Sequence, residues 1–123
     1  MEQKVIALSV VEASIDGNQT DNRCAGVHKH VGSYDTYILH PPIIIENFEQ
    51  ILNETDIDIG GVLGGENRIL YEMNRILNLT AYNPCIIIKA YHLHTSNVRT
   101  YNANIRINHN GKSLQPPPID YLP

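Results

Sequence analysis

The stretch Lys4-Val5-Ile6-Ala7-Leu8-Ser9-Val10-Val11-Glu12-Ala13-Ser14-Ile15 decides the architecture. Successive side chains of an extended chain point to opposite faces, which puts Ile6, Leu8 and Val10 on one side and Val5, Ala7 and Val11 on the other. Apolar residues on both sides are what a strand covered on two faces requires, so this segment is expected mid-sheet. The rest of the chain is then read as what pairs with it or covers it.

Immediately downstream, Asp16, Gly17 and Asn18 open a polar run to Asn22 that reads as a turn or loop, since Gly and Asn tolerate positive φ and Asp bonds its own backbone. Two β-prone runs follow, Val27-His-Lys-His-Val31 and Tyr34-Asp-Thr-Tyr-Ile-Leu-His40, joined by Gly32-Ser33 in the manner of a two-residue hairpin. That turn sets a register with Val31 opposite Tyr34, His30 opposite Asp35, His28 opposite Tyr37 and Ala25 opposite His40. Pro41-Pro42 ends the second arm, because proline offers no ladder N–H.

Ile44, Phe48, Ile51 and Leu52 recur at helical spacing and predict a helix over 44–53. A second helix follows the Gly-Gly-Val-Leu-Gly-Gly run at 60–65, with Ile69, Leu70, Met73, Ile76 and Leu77 on its apolar stripe. Arg68, Glu72 and Arg75 lie opposite, and Arg68 and Glu72, four apart, are spaced to pair. After the Asn83-Pro84 break, 85–94 and 101–110 read as the arms of a second hairpin. Asn110-Gly111 is a turn, and Gln115-Pro-Pro-Pro118 begins an extended stretch. The expected fold is α+β: a mostly antiparallel sheet of about five strands in the order β-β-β-α-α-β-β, with two helices packed on it. Residues 1–115 form the domain and 116–123 an extended Pro-rich tail.

A chain of 123 residues, 42% apolar and 18% charged, is one compact domain and leaves no room for a second. A formal charge of −4 is the wrong sign for a protein built to grip the phosphates of duplex nucleic acid. No run approaches the apolar length of a membrane span, and 1–15 lacks the unbroken apolar core of a secretory signal. Cys24 and Cys85 lie far apart without metal-site or redox-motif spacing, so they specify no disulfide framework, and a reducing cytoplasm fits them. Cys85 reads as a buried, inert thiol at the head of an apolar strand. Asn-x-Thr triplets begin at Asn18, Asn53 and Asn78; they carry meaning only in a secreted chain, and in a cytoplasmic one they are coincidence.

Three features bear on chemistry. The first is the face of the 101–110 arm that carries Asn102, Asn104, Arg106 and Asn108, which falls beside Lys89 and Tyr91 if the hairpin brings its apolar faces together. Asn is a poor strand former, so alternate Asn residues call for a reason. Amides read donors and acceptors, Arg pairs bidentately with phosphate or carboxylate, and Tyr stacks on bases; together they suit a small anionic, nucleotide-like ligand. The plain alternative is that the row reflects a chain rich in Asn throughout.

The second feature is two His-x-His pairs, His28 with His30 and His92 with His94, each offering two imidazoles on one strand face as zinc, iron or copper sites require. Asp35, opposite His30 in the hairpin register, can orient the ring or serve as a further ligand. The competing reading makes these histidines rim residues satisfied by hydrogen bonds. The third, the glycine run at 60–65, lacks the G-K-[ST] of a P-loop and the G-x-G-x-x-G of a dinucleotide site, and reads as a sharply turning loop.

No serine lies in a G-x-S-x-G elbow and no carboxylate pair is placed for acid/base work. The function expected is therefore a non-enzymatic binding module that holds or sequesters its ligand in a pocket or subunit interface of a cytoplasmic homo-oligomer, without a cofactor. A histidine-ligated, transition-metal-dependent enzyme or sensor is the alternative, and an interaction subunit docking through Pro116–Pro118 a third.

Overall fold

A computed structural model describes residues 3–24, 34–43, 46, 49, 65–94 and 111–123. Its spine is β1 (Gln3–Ser14), in which Val5, Ala7, Leu8, Ser9, Val10, Val11 and Ala13 are all buried, as the two-sided apolar pattern requires. The other described strands are β2 (Gln19–Asn22), β3 (Tyr34–Leu39), β4 (Leu79–Tyr82) and β5 (Ala90–His94), and each of them pairs with β1.

Two sections share that spine. Val5 pairs with both Leu39 and Ala81, so antiparallel β3 and parallel β4 flank the first half of β1. Val11 pairs with both Asn22 and Tyr91, so antiparallel β2 and parallel β5 flank the second half. The sheet is α+β as expected, but it is mixed where a mostly antiparallel one was predicted. Local hairpin signals report antiparallel neighbours only; the parallel partners of β1 come from far along the chain.

The helix α1 (Gly65–Leu77) covers the first half. Its Leu70 joins Val5, Ala7, Tyr34 and Leu79 in a buried cluster, with Met73, Leu77, Tyr37, Leu39, Ala81 and Leu114 packed around it. The polar face is not simply solvated. Glu72 is buried, with Arg68 Nε 3.0 Å and Arg75 Nη2 2.7 Å from its carboxylate oxygens. Asn78, at φ 54°, ends the helix in the left-handed conformation that Asn tolerates, and Asn74 Nδ2 donates to the Leu79 carbonyl at 3.0 Å.

Several expectations are corrected here. Residues 19–22, read as loop, form β2, because the tight turn before them folds the chain straight back onto β1: Gly17 takes φ 88°, Ser14 N donates to Asn18 O at 2.9 Å, and the Asp16 carboxylate accepts from Ser14 Oγ and Asn18 N. Those bonds to Asp16, led by the Ser14 hydroxyl, hold its carboxyl below the usual range. The strand β4 was not predicted at all. Residues 85–88, expected as the start of a strand, are a turn in which Ile87 N and Ile88 N donate to Pro84 O; β5 begins only at Ala90. Ties from Pro84 and Cys85 override the β propensity of three isoleucines, and Ile86 and Ile87 stay exposed.

The helix over 65–77 is described along its length; of the expected 44–53 helix only Glu46, in a turn, and Glu49, helical, are described, and the first arm of the 27–40 hairpin and the 101–110 arm lie outside the described residues. The second arm of the first hairpin is β3, which ends before Pro41-Pro42.

The Pro-rich segment is laced to the domain. Pro116 is buried and its carbonyl accepts from Tyr34 Oη at 3.3 Å and Asn83 Nδ2 at 3.4 Å. Leu114 N donates to Asn67 O, Ile119 N to Asn83 O, and Asn83 forms a parallel bridge with Pro118. Asn83, fully buried, also reaches the spine: its Oδ1 accepts from Ser9 N at 3.1 Å and its Nδ2 donates to Ser9 Oγ at 2.8 Å. A side-chain amide thus takes the place of a strand neighbour at the midpoint of β1.

Candidate functional site

Among the described residues no helix packs on the second half of β1, and its parallel partner β5 is largely open to water. Tyr91 is 54% and Leu93 58% exposed. Between them, His92 lies opposite Glu12 in the ladder. Its Nδ1 is 3.2 Å from Glu12 Oε2 and 3.4 Å from Asp35 Oδ2, so two carboxylates converge on one imidazole. Asp35 reaches this place from a β-bulge: the β1–β3 register steps from Leu8↔Thr36 to Ser9↔Tyr34, leaving Asp35 without a ladder partner and free to be re-aimed. A protonated His92 forms ion pairs with both acids; a neutral one donates to a single oxygen.

This cluster redistributes the predicted metal residues. Asp35 does meet a histidine, but the one it meets is His92 on β5. His28 and His30 lie outside the described residues, as does the Asp35–His30 pairing. His94 stands opposite Ser14 in the β1–β5 ladder. Among the described residues, no group of three or more His, Cys, Asp or Glu side chains has a geometry that could hold a metal ion. Tyr37, expected beside His28, packs against the core under α1, where burial, with Glu66 and Asp35 adding to it, raises its phenol above the ordinary value.

Of the predicted anion-binding row, Asn102, Asn104, Arg106 and Asn108 lie outside the described residues. The two members that can be placed sit at the start of β5. Tyr91 shows its ring to solvent, and Lys89 Nζ donates to Cys85 O at 2.8 Å, closing the 85–88 turn.

The largest departure concerns the cysteines. Cys24 and Cys85 form a disulfide, with Cα atoms 5.8 Å apart, and both are buried. Cys85 is therefore no inert thiol. The Asn22 side chain accepts from Cys24 N at 3.0 Å and fixes the turn that presents the first sulfur; Pro84 begins the turn that presents the second. Sequence spacing holds no sign of this bond, since it joins residues 61 apart through the pairing of β2 and β4 with a common strand. Glu12 was missed for the same reason, its histidine being 80 residues away.

No described helix is long and apolar enough to cross a membrane. Comparison with known proteins finds no family model that matches this chain, no similar curated protein and no similar solved structure.

Proposed function

We propose that the chain is a non-enzymatic binding module that holds a small anionic, nucleotide-like ligand in a pocket or at a subunit boundary of a homo-oligomer. The observation that carries this reading is the Tyr91 ring, left 54% exposed on β5, the strand that the Asn-Arg row is expected to accompany. An aromatic face in water is a platform for a flat ligand. Arg106 supplies a bidentate anion contact, Asn102, Asn104 and Asn108 supply paired donors and acceptors, and Lys89 keeps two ammonium hydrogens beyond the one given to Cys85. A thermal-shift panel of cyclic and linear nucleotides tests this. At least one should raise the midpoint, and Tyr91→Ala and Arg106→Ala should each abolish the shift; binding untouched by Arg106→Ala refutes the assignment.

A second reading, a histidine-ligated metal site, stands on the spacing of the two His-x-His pairs; the Glu12–Asp35–His92 cluster by itself is not a metal-holding group. His28, His30 and His94 are the residues that would complete it. Elemental analysis of untagged protein decides the matter: stoichiometric zinc, iron or copper lost in His92→Ala supports it, and metal-free protein ends it.

The compartment we infer is oxidising. A cytoplasmic home suited two cysteines read singly, but a buried disulfide between them persists best in secreted, luminal or periplasmic surroundings. The Pro-rich stretch as a partner-docking tail remains a third reading, with Pro117 its exposed proline.

A further inference from the structure

We propose that Asn18 and Asn78 are attachment sites for N-linked glycans, which cap the two ends of the spine strand. The inference rests on the oxidising compartment and is independent of the ligand. Three Asn-x-Thr triplets occur in 123 residues, and the disulfide removes the ground on which they read as coincidence. Of the three, Asn53 lies outside the described residues.

The fold leaves room at both others. Asn18 is exposed in the turn after β1, and its Nδ2 donates to Asp16 Oδ2 at 2.9 Å. Glycosylation replaces one of the two amide hydrogens and leaves the second for that bond. Asn78 is exposed at the helix end, between α1 and β4, with φ 54°. Neither side chain is needed inside the protein, in contrast to Asn83 and Asn67, which are buried and begin no triplet. In the reaction, Nδ2 attacks the anomeric carbon of a lipid-pyrophosphate-linked oligosaccharide. The new C–N bond forms as the bond to pyrophosphate breaks, the lipid pyrophosphate leaves, and the nitrogen gives up one proton.

The placement has a geometric consequence. Asn18 follows the last residue of β1, bonded back to Ser14, while Asn78 precedes Leu79, the ladder partner of Gln3 at the first. The sites are separated by the length of the strand, on the order of 35 Å at the usual rise per residue.

The test is secretion of the full chain from a eukaryotic cell behind a cleavable leader, followed by intact-mass measurement before and after amide-specific deglycosylation. Peptide mapping then looks for Asn18 and Asn78 converted to Asp. Two glycan masses are expected at these positions. Thr20→Ala and Thr80→Ala should each remove one while keeping the Asn, and Thr20→Ser and Thr80→Ser should retain both, so a folding defect cannot imitate the loss. A secreted, disulfide-bonded chain unmodified at both positions overturns the proposal. So does a chain glycosylated at Asn53 alone, or one retained with Cys24 and Cys85 reduced.

Discussion

The two halves of β1 are the same strand held in different ways. The first, flanked by β3 and β4, is roofed by α1 and closes over Val5, Ala7, Tyr34, Leu70 and Leu79, a cluster in which every side chain is buried. The second, flanked by β2 and β5, has no described helix over it, shows Tyr91, His92 and Leu93 to water, and is tied to the rest by the Cys24–Cys85 bond and the Asn83 amide. Among the described residues, the first half is held by a helix packed on the sheet, and the second by covalent and polar ties. What the second half shows to water is its parallel partner β5, while its own Val10, Val11 and Ala13 are buried.

Breaking the covalent tie should have the largest effect. Closing a loop between residues 61 apart restricts the unfolded chain by about 4 kcal/mol in the chain-entropy account. Cys24→Ala with Cys85→Ala should lower unfolding free energy by roughly that amount in a denaturant titration. Hydrogen exchange sharpens the comparison: amides of β2 should accelerate before those of β3 and α1. Uniform acceleration would erase the distinction between the halves.

Asn83→Ala strikes the midpoint of the spine. It removes the acceptor of the buried Ser9 N and a donor to Pro116 O, and a loss of about 3 kcal/mol is expected from chemical denaturation, at the upper range for such groups. A loss below 1 kcal/mol would show that water replaces the amide freely.

Tyr34→Phe probes the covered half. Losing the hydroxyl bond to Pro116 O should cost about 1 kcal/mol at neutral pH. The phenol also titrates. Burial first, and Tyr37 second, raise its folded value above the unfolded one near 10. The neutral hydroxyl is therefore the form that the fold prefers, so its stabilisation is complete below about pH 10 and disappears as pH rises from there through the folded value. Phenolate absorbance should show part of the seven-tyrosine signal appearing only with unfolding, and Tyr34→Phe should reduce that part.

The smallest change is expected at His92. Its ring is 48% exposed and so is much of Asp35, which weakens that pair by solvent screening, so His92→Ala should shift stability by about 0.5 kcal/mol. A larger loss would mean that the exposed half depends on this cluster for its structure.

The sequence makes the covered half legible and the open half much less so. The two-sided pattern of 4–15 places β1, the 3.6-residue stripe places α1, and Pro41-Pro42 marks the end of β3, because each signal is local. The spacing of Arg68 and Glu72 likewise foretells their ion pair, though not that Glu72 is buried. The disulfide, the β1–β5 register and the meeting of Glu12, Asp35 and His92 are set by which distant segments lie beside β1. Nothing in the neighbouring residues encodes that choice. Asn83 shows the limit most sharply: beside Pro84 it reads as a chain breaker, and only the folded sheet makes it a surrogate for a missing strand.

That every described strand pairs with β1 also bears on how the protein is made. The spine leaves the ribosome before any of its described partners, and Glu12 waits for a ladder partner 80 positions later. Translation at roughly 5–20 residues per second puts several seconds between the two. For that interval β1, the most apolar of the described strands, travels without its full set of neighbours, and the nascent protein is a natural client for a chaperone that shields extended hydrophobic segments.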